Sequence, residues 1–197
     1  MKKAILCFPF VKGRQTQYPT GVFQIASFCK DLYDVVVLDQ RIDTDVISII
    51  SELISKNDDI LCLGLSVMTG EQIKHAIDIS KKFHPKLTIV WGGLHPTILP
   101  EQTLNNEFID YIVIGEGEEA FLNLLQYLSG KDVPREMFLS KKNNNYGHNY
   151  IADLNSSGYI DFSKYKIREE YFVKRDGFRR AFTLETSRGC PYNCYYC

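Results

Sequence analysis

The sequence lacks the long apolar run and the basic excess that would indicate two common kinds of partner. No stretch approaches the about eighteen apolar residues of a membrane-spanning helix. Its 23 Lys and Arg residues are balanced by 24 Asp and Glu residues, for a formal net charge of −1. A nucleic-acid-binding face usually requires a basic stripe. We therefore expect neither a membrane nor a nucleic-acid partner.

The start of the chain lacks a secretion signal, and we expect a cytoplasmic protein. Lys2 and Lys3 precede an apolar run, but this run is short, has no small-residue cleavage site and soon meets Pro9. We interpret it as a buried first strand. With 45% apolar and 24% charged residues, the 197-residue chain has the composition of a globular protein with one ordinary domain and a further segment.

The six cysteines do not indicate a disulfide framework, because the chain is long and has no secretion signal. Cys7, Cys29 and Cys62 each lie inside an apolar pattern, and we interpret them as small buried hydrophobes. The other three crowd the last eight residues of the sequence. They require a separate explanation.

Short apolar runs alternate with helical patterns over residues 1–130, which is typical of a parallel sheet with helices on both faces. The predicted strands span 4–10, 34–39, 60–67, 88–91 and 111–114. A helical pattern follows each strand, and the fourth, over 100–108, is short and weak. We predict an α/β fold with a doubly wound, five-stranded parallel sheet, flavodoxin-like or Rossmann-like, in the order 2-1-3-4-5.

The pattern changes after residue 130. We predict a domain over 1–130, a linker or junction over 131–180 and a further segment over 181–197. The linker contains a polar loop at 141–150, and its scattered apolar residues over 151–172 are expected to pack at the junction. Asp176-Gly177 between two strand-like runs indicates a hairpin.

The last cysteines have the spacing C-x3-C-x2-C and follow directly on the second run of that hairpin. Three thiolates this close would either share one metal centre or stay reduced and idle. A structural zinc site usually has four ligands, in two pairs, and the nearest histidine, His148, lies far back in the polar loop. Three thiolates on an iron–sulfur cluster would leave one iron open. A zinc-binding chain end stays as the alternative.

This spacing, with Ser-Arg-Gly at 187–189 and an aromatic residue before the last cysteine, resembles the radical SAM superfamily. The resemblance implies that Cys190, Cys194 and Cys197 hold a 4Fe–4S cluster, whose open iron S-adenosylmethionine chelates. An electron then yields a 5′-deoxyadenosyl radical, and the protein positions and shields it. The resemblance also places Tyr196 beside the cluster, and it implies an electron donor of the flavodoxin or ferredoxin type.

Ligands of open parallel sheets bind beyond the carboxyl ends of the strands. Small residues follow three successive strands, at 64–70, 91–97 and 115–118, where they leave room for a bulky ligand. The loop at 8–14, after the first strand, lacks the fingerprint G-x-G-x-x-G, which disfavours NAD.

These turns, together with 18–21 at the start of the first helix, resemble the cobalamin-binding domain that precedes many radical SAM domains. Relatives of this kind include cobalamin-dependent methylases and the anaerobic magnesium-protoporphyrin monomethyl ester cyclase. The resemblance covers nearly the whole chain and implies cobalamin as a cofactor. The cofactor-binding residues that it implies are Thr20, Gly21, Ser66, Thr69, Gly92, Gly93, His95, Gly115, Glu116 and Gly117.

The sequence departs from one pattern of cobalamin carriers. It lacks D-x-H-x-x-G after the first strand, and its first histidine is His75, so no histidine ligates cobalt from that loop. The turn residues also have structural alternatives. Ser66 and Thr69 suit a cap of the helix that begins near Gly70, and Glu116 suits the positive end of a helix dipole.

We therefore expect the N-terminal part of a cobalamin-dependent radical SAM enzyme that acts on a small-molecule substrate. The reaction would be methyl transfer to an unactivated carbon or an oxidative cyclisation, and no catalytic residue is predicted. The resemblance implies that residues 181–197 are the first strand and the cluster loop of a radical SAM partial barrel. Because such a barrel would need many further residues, we expect a fragment that is inactive alone. In the alternative, the α/β domain no longer binds cobalamin and serves as a scaffold or substrate-recognition module.

Overall fold

The computed structural model describes residues 1–12, 17–56, 59–142, 149–175, 177–190, 192, 194 and 195. The remaining positions lie outside the described residues. They include several that the sequence analysis named: His148, Asp176, Tyr196, Cys197, part of the loop at 8–14 and most of the loop at 141–150.

A six-stranded sheet forms the centre of the fold, in the order β2-β1-β3-β4-β5-β6. Its first five strands run parallel, which confirms the predicted α/β fold and the order 2-1-3-4-5. The prediction of five strands missed β6, which pairs antiparallel with β5 at the edge. The strands are β1 (Lys3–Phe8), β2 (Asp34–Asp39), β3 (Ile60–Ser66), β4 (Thr88–Gly92), β5 (Tyr111–Ile112) and β6 (Leu139–Ser140).

In the part of the chain that the structure describes, six α-helices accompany the sheet. The predicted fourth helix is shorter than expected, and another short helix precedes it. Leu99 separates the two with a backbone φ of −126°, because the residue before a proline is disfavoured in the helical region. The helices are α1 (Thr20–Cys29), α2 (Val46–Lys56), α3 (Glu71–Phe83), α4 (Leu94–Ile98), α5 (Pro100–Leu104) and α6 (Glu118–Leu128).

Two apolar cores lie on the two faces of the sheet, because successive strand side chains point to opposite faces. In β1, Ala4 and Leu6 belong to the core that contains α1 and α6. Ile5 and Cys7 belong to the core that contains α2 and α3. The sheet is therefore covered on both faces, as a doubly wound fold requires.

Residues 151–172 pack against α1 and β2. Gln24 Nε2 donates hydrogen bonds to the carbonyl oxygens of Ser157 and Gly158, at 2.9 and 3.0 Å. The buried hydroxyl of Tyr165 donates to the carbonyl of Val35 at 3.0 Å. The division of the chain at residues 130 and 180 stays a prediction.

The predicted hairpin is present as β7 (Val173–Arg175) and β8 (Phe178–Ala181), which pair antiparallel. Its turn includes Gly177, with a φ of +83° that favours glycine. Among the described residues, no helix combines the length and the apolar character needed to cross a bilayer.

Candidate functional site

A cavity of about 270 Å³ lies at the carboxyl ends of β1, β3, β4 and β5. The start of α1 and the turn before α6 complete its walls. Strand ends of a parallel sheet meet at one edge, so turns that are far apart in sequence converge here. Eight of the ten predicted cofactor-binding residues line this cavity: Thr20, Gly21, Ser66, Gly92, Gly93, Gly115, Glu116 and Gly117.

Two glycines of the wall leave open space. A Cβ built on Gly21 would meet no heavy atom within 4 Å. One built on Gly92 would meet only Val113, at 3.9 Å or more. Both residues line the cavity and contribute no side chain to its wall.

Other glycines are required by the packing of the protein itself. Gly93 has a φ of +93°, and a Cβ there would lie 3.0 Å from the backbone N and O of Val67. A Cβ on Gly117 would lie 2.6 Å from Ile25 Cδ1. These two residues let the turns after β4 and β5 approach their neighbours closely.

The structure places Thr69 and His95 outside the cavity wall. His95 Nδ1 and Thr69 Oγ1 are 3.2 Å apart, and the histidine is 6% exposed. Burial lowers the pKa of His95. This contact joins the turns after β3 and β4 outside the cavity wall. Helix α3 has Gly70 at its N-cap position, with no side-chain capping bond there.

Two further residues that sequence reasoning missed tie the turns together. Thr97 Oγ1 donates to the carbonyl of Gly93 at 2.8 Å and accepts from the amide of Gly115 at 3.0 Å. The Gln72 side chain donates to the carbonyl of Pro9 and accepts from the amide of Met68, each at 2.7 Å. The one hint in the sequence was a polar residue, Gln72, near the start of the predicted helix. The structure buries its side chain, which is 1% exposed.

An arginine from the segment before the cysteines lies at the mouth of the cavity. Arg188 Nη2 is 2.6 Å from Glu118 Oε1, and Nη1 is 3.4 Å from Glu116 Oε1. Its Nε is 3.4 Å from Glu185 Oε2. Burial opposes the charge of Arg188, but the hydrogen bond to Glu118 and the surrounding carboxylates raise its pKa above the usual value.

The cysteines divide as the sequence predicts into buried and exposed ones. Cys7, Cys29 and Cys62 are at most 1% exposed, and burial raises the pKa of each thiol, that of Cys29 to about 12. This confirms that they are structural. Cys190 and Cys194 are exposed free thiols. Within the described part of the chain, which excludes Cys197, no three metal-binding side chains come together.

The B12 binding domain family matches residues 10–125, which is more than half of the chain. The match begins after β1 and covers the other four parallel strands, β2 to β5. It includes every one of the residues that were predicted to bind cobalamin. It stops before the linker and the cysteines.

Curated proteins of related sequence are all longer than this chain. An uncharacterized methyltransferase of Pyrococcus horikoshii is 30% identical over 91% of the chain, which spans 40% of that protein. The anaerobic magnesium-protoporphyrin IX monomethyl ester cyclase of Rubrivivax gelatinosus is 27% identical over 63% of the chain. The 4′-phospho-dehydrooxetanocin synthase of Priestia megaterium is 28% identical over 85% of it. The chain spans 24% and 23% of these two.

The fold also matches a solved structure. TsrM of Kitasatospora setae is a radical S-adenosylmethionine methyltransferase whose structure holds cobalamin and a [4Fe-4S] cluster. It superposes with a TM-score of 0.61 at 18% identity, over 71% of this chain and 29% of the other. At this identity the match supports the fold.

Proposed function

The chain belongs to the B12-binding domain family, and we propose that it is the cobalamin-binding part of a radical SAM enzyme that transfers a methyl group or closes a ring oxidatively. One observation carries the proposal. The cavity at the strand ends has Arg188 in its wall, two residues before the first cysteine of C-x3-C-x2-C. A cobalamin site and a cluster site would therefore adjoin.

The cavity fits one part of cobalamin. At about 270 Å³ it is too small for the whole molecule, since pockets that enclose drug-sized ligands begin at roughly 300 Å³. It suits the nucleotide tail, with the broad corrin ring against the strand ends outside. The open space at Gly21 and Gly92 is the cradle that such a tail requires. The residues present therefore fit the cofactor.

Polar groups of the wall suit the tail as well. Thr20 and Gly21 open the ten-residue helix α1, and a helix N-terminus favours a phosphate group such as that of the tail. The hydroxyls of Thr20 and Ser66 supply hydrogen-bonding groups in the wall. Cobalamin, when bound, supplies a transferable methyl group or a one-electron redox centre.

In the same proposal, Cys190, Cys194 and Cys197 ligate a 4Fe–4S cluster. When bound, this cluster supplies the electron that cleaves S-adenosylmethionine. Exposed thiols at Cys190 and Cys194 are accessible for cluster assembly. The other participants are a small-molecule substrate and an electron donor of the flavodoxin or ferredoxin type.

Anaerobic titration with hydroxocobalamin tests the cofactor assignment. The 197-residue chain is mixed with hydroxocobalamin and passed through a gel-filtration column, and the visible spectrum of the protein peak is recorded. We expect near-equimolar corrin absorbance in that peak. A protein peak without corrin would contradict the assignment and favour an α/β domain that serves as a scaffold or substrate-recognition module.

A further inference from the structure

The segment before the cysteines forms a wall between two cavities. Glu185 and Arg188 line the cavity at the strand ends on one side. On the other side, Leu184 to Arg188 line a second cavity of about 340 Å³ whose far wall includes Ser157 and Phe162. The position of this segment therefore sets the shape of both cavities.

Three parts of the chain meet at Glu116. Its Oε1 faces Arg188 of the cysteine-bearing segment, and its Oε2 accepts a hydrogen bond from the amide of Ile151, at the start of the stretch that packs on α1. Its own amide donates to the carbonyl of Asn149 at 3.1 Å. Glu116 itself belongs to the turn that lines the cavity. A displacement of Arg188 would therefore change the contacts of Glu116 and, with them, the cavity wall.

The pair of Arg188 with Glu118 is largely withdrawn from water, with side chains 20% and 3% exposed. A buried carboxylate without a partner is strongly destabilising, so Arg188 has a defined place beside Glu118. Between the described residues of 183–190 and those of 1–130, no further hydrogen bond or ion pair occurs. Phe182, just before the segment, packs on Tyr18 with ring centroids 5.1 Å apart. Beyond this apolar anchor, the polar docking of residues 183–190 depends on Arg188.

We propose that Arg188 is a positioning residue: its ion pairs with Glu116 and Glu118 dock the cysteine-bearing segment on the rim of the strand-end cavity. They thereby fix where a cluster on Cys190 would stand relative to the corrin. The second statement rests on the proposed function, whereas the docking itself does not. A planar guanidinium can face two carboxylates at once, which the single ammonium of lysine does less well.

Distances between two spin labels test the docking without any cofactor. The cysteines at 190, 194 and 197 are changed to serine, and nitroxides are attached at Lys82→Cys on α3 and at Thr186→Cys, both exposed positions. The buried Cys7, Cys29 and Cys62 remain unlabelled. We expect one narrow distance distribution, and at least a twofold broader one in Arg188→Gln. An equally narrow distribution in Arg188→Gln would overturn the proposal.

Matched variants separate docking from a general loss of structure. Arg180 pairs with Glu169 at 2.7 Å, but both side chains are mostly exposed, so Arg180→Gln should leave the distribution narrow. Broadening there equal to that of Arg188→Gln would contradict the proposal. If Arg188→Gln fails to fold, the double variant Arg188→Gln with Glu118→Gln decides, because it leaves no lone charge at Glu118. This double variant should also broaden the distance distribution. The distribution of Arg188→Lys should have a width between those of the parent protein and of Arg188→Gln.

A second readout concerns the corrin. With a single nitroxide at residue 186 and paramagnetic cob(II)alamin bound, relaxation of the nitroxide reports its distance from cobalt. We expect strong enhancement in the parent protein and at least a twofold weaker one in Arg188→Gln at equal corrin occupancy. Equal enhancement in both would overturn the role of Arg188 in placing the segment near the corrin. If the protein binds no corrin, only the proposed function is contradicted. The distances between the two labels still decide whether Arg188 docks the segment.

Discussion

At the scale of single residues, the glycines of the cavity wall fall into two groups with different physical requirements. Gly21 and Gly92 have open space where a Cβ would stand, so they matter to whatever enters the cavity. Gly93 has a positive φ and backbone atoms of Val67 at 3.0 Å from such a Cβ, so it matters to the fold itself. The two groups therefore predict different effects of alanine.

Gly93→Ala should lower the free energy of unfolding by about 1–3 kcal/mol, because alanine at this φ is strained and its methyl group would press on Val67. Gly21→Ala, the matched control, should be neutral or raise it by up to about 1 kcal/mol, since alanine favours the helix. Urea unfolding monitored by circular dichroism measures both. Equal stability of the two variants would contradict this assignment of the glycines.

The sequence predicted most residues around the cavity but not which way each side chain points. Strand ends of a parallel sheet converge whatever the side chains are, so the turns at 64–70, 91–97 and 115–118 were predictable as neighbours. Thr69 and His95 bond to each other behind the wall. That bond depends on the distance between two turns, which no local pattern encodes.

At the scale of elements, the stretch 151–172 behaves as an added layer on α1 and β2. Its contacts with the domain use buried polar groups as well as apolar ones. Tyr165 donates from its hydroxyl to the carbonyl of Val35, and Tyr171 donates to Asp39 Oδ2 at 3.1 Å. A buried hydrogen bond of this kind contributes about 1 kcal/mol. These buried hydrogen bonds therefore fix the stretch in one position on the domain.

Tyr165→Phe should lower the free energy of unfolding by about 1 kcal/mol, because it removes the donor to the buried carbonyl of Val35. It should also speed amide hydrogen exchange over 157–165. Tyr159→Phe is the control, since Tyr159 is 91% exposed and should leave both measurements unchanged. Unchanged exchange in Tyr165→Phe would mean that this bond does not hold the stretch.

Elements with a clear period were predictable and short ones were not. The strands and helices with several turns of apolar spacing were found close to their observed bounds. Strand β6 has two residues, Leu139 and Ser140, and two residues carry no period. It forms because the edge of β5 offers unpaired backbone groups to the returning chain. Helix α4 contains Pro96, which argues locally against a helix but is tolerated in a first turn.

At the scale of the whole molecule, two features of the sequence that lie far apart become neighbours. The strand-end cavity is built from residues 6–121, and the segment that ends in the cysteines supplies Glu185 and Arg188 to the same wall. The alternation of elements fitted the observed strand order without proving it. The contact of Arg188 with Glu116 and Glu118 did not follow from it, because it depends on how residues 131–180 return to the sheet.

The most direct test of the central claim uses the single tryptophan of the chain. Trp91 is buried and immediately precedes Gly92 of the cavity wall, and a bound corrin absorbs light in the range of tryptophan emission. Hydroxocobalamin should therefore quench the fluorescence in a saturable way. Gly92→Leu, which fills the cavity, should raise the dissociation constant at least about tenfold, equivalent to about 1.4 kcal/mol.

Lys74→Leu adds the same side chain at an exposed position on α3 and is the matched control. The account predicts saturable quenching in the unchanged chain and in Lys74→Leu, with the loss confined to Gly92→Leu. Quenching that does not saturate in the unchanged chain, or that survives unaltered in Gly92→Leu, would contradict a cobalamin site at the strand ends.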